Sequence, residues 1–339
     1  MIECSQRPRA VHAGRWIVVF AIVSAALYRP VAAFETDQYL ALEVEIADSA
    51  SAVNEYLNRE LRLLLSDSSV DRLECRQVAP RFYRRLFGGL AASRLQDYLV
   101  SDEDIDRFPD GWSYRKHLSR SIYRKPWFPY ILPLSPTIRV GEVRFGIDKL
   151  GHFFGYGRRY YKRYERLRSR GVPETQALRR TLLFGLRQER FFVGGWTDGV
   201  FSYGDLEANY QGMEMAKRFC RGDDPYLERV DGRWRQRRNL DLRDYVTPSF
   251  DESYNNNHYP KPRWKRVRPI LVAEYCETFF SPAVQERMRR YEASDRPNPS
   301  KRLIAEYFAK KGLDLKERQS MSSICGRRPP VSKETTTSR

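Results

Sequence analysis

The stretch Asp148-Lys149-Leu150-Gly151-His152-Phe153-Phe154-Gly155-Tyr156-Gly157-Arg158-Arg159-Tyr160-Tyr161 opens the first of three helical segments that fill residues 148–220. Asp148 and His152 stand four apart, so on a helix they lie one above the other. Gly155, Tyr156 and Arg159 continue that face, and Gly151 and Gly155 leave room for a second helix at a cost in helix propensity. In the next helix Leu182, Leu186 and Val193 mark an apolar stripe, and Glu189 falls inside it. A carboxylate in such a stripe is either buried with partners or turned toward a cleft. In the third helix Asp205, Asn209, Gly212 and Met213 share a face. Packed together, the three helices bring Asp148, His152, Glu189, Asp205 and Asn209 to one inner side.

Those five residues have the parts for general acid–base chemistry. They equally suit an oxygen-rich divalent metal site with one imidazole, since no thiolate takes part. In the acid–base reading His152 is the acid–base group or a ligand, oriented by Asp148. Glu189 is a second base, and Asp205 with Asn209 fixes a cation or a substrate hydroxyl. Arg159 or Arg190 holds an anionic group of the substrate. The competing use of the same residues is a buried polar network that only fixes helix packing. Lys149 reads as a solvated face residue, and Asp198 and Ser202 as turn and cap residues.

The order of these residues carries a resemblance. Asp148-Lys149-Leu150-Gly151-His152-Phe153 matches Asp-Lys-x-x-His-Phe; Glu189 follows, and Asp205 to Gly212 matches Asp-x-x-x-Asn-x-x-Gly. Over residues 146–216 the chain resembles the VanZ-like and YfiM-like bacterial envelope proteins. The resemblance implies a helical fold and an envelope setting with a poorly defined biochemical activity. VanZ-like proteins are membrane-embedded and associated with glycopeptide resistance. Here the matching helices carry Arg158, Arg159, Lys162, Arg163, Arg179 and Arg180, so the resemblance implies a soluble exported relative.

Outside this block, Arg7, Arg9 and Arg15 precede an apolar run from Trp16 to Tyr28, followed by Val31-Ala32-Ala33. That order predicts a secretory signal over 1–33, cut before Phe34. Export leaves Cys75, Cys220, Cys276 and Cys325, which predicts two disulfides in one of three connectivities. Residues 34–67 carry eight acids against two arginines. Val53, Leu57, Leu61 and Leu64 give this acidic arm an amphipathic helix that can lie against the basic remainder.

A second helical stretch begins at Pro80, with Phe82, Leu86, Leu90 and Leu95 buried; a strand is expected over 138–145, and loop with short strands over 222–268. Further helices are expected over 272–291 and 300–311, the latter capped by Ser300. His117 and His258 read as exposed. Asp102, Asp104 and Asp106 lack the glycine and the glutamate of a calcium loop.

The predicted class is mainly α: a soluble, helical bundle-like domain over 68–325 with irregular loops and a few short strands. The tail 326–339 reads as disordered. Mean hydropathy of −0.65 excludes a polytopic membrane protein. No HExxH, Walker A, strand-coupled GxGxxG or GxSxG is present. The formal charge of +17 favours anionic partners. Without a nucleic-acid module these are envelope components, a lipid head group or a wall polymer, and nucleic acid is not expected.

Overall fold

The computed structural model describes residues 35–88, 93–125, 134–190, 199–310 and 319–326. The segment 1–33 expected to be a secretory signal, Leu90, Val193, Asp198 and the tail beyond Gly326 lie outside the described residues.

The chain enters through β1 (Glu35–Thr36) and then forms helix α1 (Ala50–Leu65), α2 (Cys75–Leu86), α3 (Arg94–Ser101), β2 (Arg107–Phe108) and α4 (Tyr114–Arg120). Three strands follow, β3 (Leu134–Ser135), β4 (Thr137–Val140) and β5 (Val143–Gly146). The central block is α5 (Asp148–Gly151), a π-helical turn (His152–Tyr156), α6 (Gly157–Arg168), α7 (Glu174–Gln188) and α8 (Tyr203–Lys217). After the hairpin β6 (Leu227–Val230) and β7 (Arg233–Gln236) come α9 (Lys261–Glu274), α10 (Cys276–Phe279), α11 (Pro282–Ser294), α12 (Pro299–Ala309) and α13 (Met321–Cys325). The fold is mainly α, and the strands are short pairs: β1 with β3 in parallel, β2–β4–β5 antiparallel, and β6–β7 antiparallel. Among the described residues no helix is long and apolar enough to cross a membrane.

The principal core runs from α1 to the hairpin β4–β5 and the central helices. Val53, Leu57, Leu61 and Leu64 of α1 are all buried in it, as their spacing requires. The polar side of α1 is also used: Asn58 Nδ2 donates to Leu240 O and Asn58 Oδ1 accepts from Leu240 N, both at 2.8 Å. Two disulfides, Cys75–Cys220 and Cys276–Cys325, resolve the pairing. The first ties α2 to the end of α8, and the second ties α10 to α13.

Several local expectations change. Residues 138–145 form a hairpin instead of one strand, because Gly141, at φ +60°, supplies the left-handed turn. Pro80 lies inside α2, whose start is fixed by the reciprocal capping of Glu74 and Gln77. Ser300 is a buried helical residue, and Asn298 caps α12 by accepting from Lys301 N at 3.0 Å. The region 272–291 divides into three helices, with Pro282 starting the last. His117 is buried and His258 half-buried, against the expected exposure. Burial pushes the His117 imidazole down to about 4.

The close helix approach arises at a different pair of glycines from the one expected. A Cβ on Gly212 would stand 2.0 Å from Phe153 O, and one on Gly157 would stand 2.9 Å from Gly212 Cα. Gly151 and Gly155 instead clear the ring of Phe87. With Gly157 against Gly212, α6 and α8 cross almost backbone to backbone, which sets Asp205 and Asn209 opposite Lys149 and His152.

Candidate functional site

Lys149 lies at the centre of the site and is fully buried, against the expectation of a solvated side chain. Its Nζ stands 2.6 Å from Asp148 Oδ2, 2.8 Å from Asp205 Oδ1 and 2.6 Å from Glu252 Oε1. The approach to Asp205 Oδ1 is an ion-pair contact outside hydrogen-bond geometry. Gly204 makes the burial possible: a Cβ there would press on Lys149 Cε at 3.1 Å. Helical spacing alone suggested the opposite, because residue 149 is one step from the Asp148 face. The four-residue helix α5 is however enclosed on all sides, with Asp148, Lys149, Leu150 and Gly151 all buried.

Asp148 is held from its other side by β1 and β3. Thr36 Oγ1 donates to its Oδ1, and so does Ser135 Oγ at 3.1 Å. Burial pushes its carboxyl up, but Lys149, the Thr36 hydrogen bond and the His152 charge together hold it below the usual carboxylate range.

The imidazole of His152 is positioned by the third helix, not by Asp148. Nε2 lies 3.1 Å from Asp205 Oδ2, and Nδ1 lies 3.3 Å from Asn209 Oδ1. The π-helical turn brings Tyr156 onto it, with ring centroids 5.1 Å apart and planes inclined by 14°. Asn209 is shared with the buried Tyr160 hydroxyl, and Gly185 of α7 clears the space that hydroxyl occupies.

Glu189, buried at the end of α7, accepts from Ser202 N at 3.1 Å. Ser202 is the cap of α8, accepting from Asp205 N at 3.0 Å, and it also donates to Glu252 Oε1 at 2.6 Å. The five sequence-selected residues are therefore brought to one place, joined through Lys149 and Ser202. Glu252, Glu35, Thr36 and Ser135 were missed. They come from non-periodic segments far away in sequence, and only the preference of carboxylates for a buried cation links them.

Four buried carboxylates, Asp148, Asp205, Glu252 and Glu35, act on the one buried lysine. Burial, the opposing pull of Lys149 and the repulsion of Asp148 and Asp205 leave Glu252 raised to about 7. Burial and then Glu252 push Glu35 well above the carboxylate range. Burial alone would lower Lys149, but Asp148, Asp205, Glu252 and Glu35 override it and hold the ammonium well above its usual range.

This donor set does not fit the divalent metal considered from the sequence. Three carboxylates already converge on the Lys149 ammonium. Among the described residues no group of three or more His, Cys, Asp or Glu side chains is disposed around an ion-sized space. Of the two arginines, Arg159 is exposed and lies 4.7 Å over the Tyr156 ring, at the rim of the site. Arg190 is directed toward α12, where it donates to the Tyr307 hydroxyl.

Comparison with protein families, curated proteins and solved structures finds no match. The chemistry must be argued from the site itself. His152 is the outermost member of the cluster, its side chain 10% exposed, and the Lys149 side chain behind it is fully enclosed.

Proposed function

We propose that this chain is an exported envelope protein whose Lys149-centred cluster supports acid–base chemistry at His152, in hydrolysis or transfer on an envelope phosphate ester. The carrying observation is the histidine–carboxylate pair, His152 Nε2 to Asp205 Oδ2 at 3.1 Å, backed by more buried carboxylates than cations. Burial raises Glu252 and Glu35 toward their protonated forms, and a site that must exchange a proton gives such groups a use. Asp205 fixes the imidazole through its Nε2. The longer Nδ1 contact, 3.3 Å to Asn209, is the one a substrate group replaces. Arg159, stacked through Tyr156 onto His152, supplies positive charge where an anionic substrate arrives. Lys149 takes the central place that a metal would have taken, so the reaction is assigned to side chains alone. Two disulfides agree with an oxidising compartment.

The test is turnover of chromogenic phosphate monoesters, phosphodiesters and glycosides by the purified mature chain in chelator. Turnover of a phosphate ester that disappears in His152→Gln supports the reading. Turnover confined to glycosides moves the substrate to a wall glycan.

A second reading has its own observation. Both ring nitrogens of His152 are engaged by protein acceptors, as in a network that only fixes packing. The chain is then a non-catalytic envelope binding or scaffold protein, and His152→Gln loses stability without any activity to lose.

A further inference from the structure

The outer face of α2 carries Arg81, Arg84 and Arg85 at helical spacing, opposite the buried Val78 and Phe82. With Arg94 of α3, Leu63 and Leu64 of α1, Asp67 and Gly88 they line a groove of about 330 Å³. Arg85 is ion-paired with Glu60 at 2.7 Å; among the described residues Arg81, Arg84 and Arg94 form no ion pair, although Arg81 joins the Ser69 hydrogen bonds in holding the nearby Asp67 carboxyl low. Asp67, the groove's one acid, caps the next turn by accepting from Ser69 N at 2.9 Å.

Ordinary helix electrostatics explain part of this charge. Arg84 and Arg85 occupy the last turn of α2, where cations are favoured. Arg94 is the first residue of α3, where a cation is disfavoured, so the helix gives no reason for it. Arg84 also meets like charge outside the groove: burial and then Arg84 and Arg159 hold the Arg158 guanidinium below its usual range. Leu63 adds an apolar wall, 49% exposed, and none of the lining residues is an aromatic ring on which a base can stack.

We infer that this groove is a binding site for the phosphate head group of an anionic membrane lipid, with Arg81, Arg84 and Arg94 on the phosphate and Leu63 against the apolar part. It rests on the envelope setting proposed above and names the anionic component. An anionic bilayer meets both features at once, charge and exposed leucine.

The experiment is co-sedimentation of the mature chain with phosphatidylglycerol-containing vesicles, with pure phosphatidylcholine vesicles as the comparison. The expected result is binding to the anionic vesicles only. Affinity falls on the order of 100-fold in the Arg81→Ala, Arg84→Ala, Arg94→Ala triple variant, from about 1 kcal/mol for each basic side chain at the surface. Leu63→Ser weakens it several-fold. The three arginines are exposed and free of ion pairs, so the variant keeps its fold, checked by its melting curve, and the single Arg84→Glu variant repeats the test. Unchanged vesicle binding in both variants overturns the proposal. So does binding of pyrophosphate or a single-stranded oligonucleotide, lost in the triple variant, with no binding to anionic vesicles, which assigns the groove to a soluble anion or to nucleic acid. His152→Gln binds vesicles like the parent, so failure of the groove and failure of the catalytic reading are told apart.

Discussion

Lys149 of α5 and Glu252, 103 positions later in the chain, meet at 2.6 Å in a part of the protein closed to solvent. Around that contact polar side chains join the N-terminal strand, the β3 strand, two central helices and the loop after Phe250. A buried charge that is paired and hydrogen-bonded is tolerated, whereas a widowed one is not.

Lys149→Met removes the one ammonium from among Asp148, Asp205, Glu252 and Glu35. The expected cost is about 3–5 kcal/mol of folding stability at neutral pH, read by urea denaturation. The deficit shrinks as pH falls and the carboxylates take up protons. A deficit independent of pH would contradict the charge argument.

Glu252, raised from 4.5 to about 7, gives a pH dependence of definite sign. A carboxyl with a raised folded-state value stabilises the fold fully below its unfolded value of 4.5 and loses that contribution as pH rises through about 7. Asp148, held low, acts oppositely: its contribution is present above its ordinary value of 3.8 and is lost as pH falls further. Glu252→Gln cannot titrate. Its unfolding free energy is therefore expected to fall less between about pH 5 and 8 than that of the parent, by on the order of 3 kcal/mol. Parallel pH profiles for the two chains would count against Glu252 as the proton holder.

Gly212→Ala forces a methyl group against the Phe153 carbonyl, backbone that cannot swing aside. In an exposed helix the same change gains about 1 kcal/mol. Here the expected result is a loss of about 3 kcal/mol or more, at the level of overpacked cores. Neutral stability would mean that the π-helical turn and α8 do not meet there.

Non-reducing peptide mapping is expected to recover Cys75 linked to Cys220 and Cys276 linked to Cys325. Replacing the first pair by serine should cost about 2–5 kcal/mol, because that bridge closes the longer loop. A different pairing would displace α2 from the end of α8.

The central helices α6 and α7 were legible because their buried residues recur every three to four positions, whereas α8 is buried on nearly every side. Asp205 and Asn209 fall on one inner face in the structure as they do in the spacing. Lys149 was not legible: a position beside the polar face looks solvated until the neighbouring segments close over it. Glu35, Thr36, Ser135 and Glu252 reach the site through tertiary packing, which periodicity does not encode. The role of Asp148 shifted for a related reason. Its helix is one turn long, and the following π-helical turn gives the imidazole to Asp205 and Asn209.

The central claim is that His152 acts on a substrate while the cluster behind it holds the fold. The most direct test measures phosphate-ester turnover and unfolding free energy on the same preparation of His152→Gln. The account expects turnover to fall at least about 100-fold, the scale of a lost general acid–base group. It expects the variant to stay folded and to lose no more than about 3 kcal/mol, the scale of a lost hydrogen bond to a charged group. A variant that unfolds, beside a parent that turns over no phosphate ester, would contradict it and leave His152 as part of a structural network.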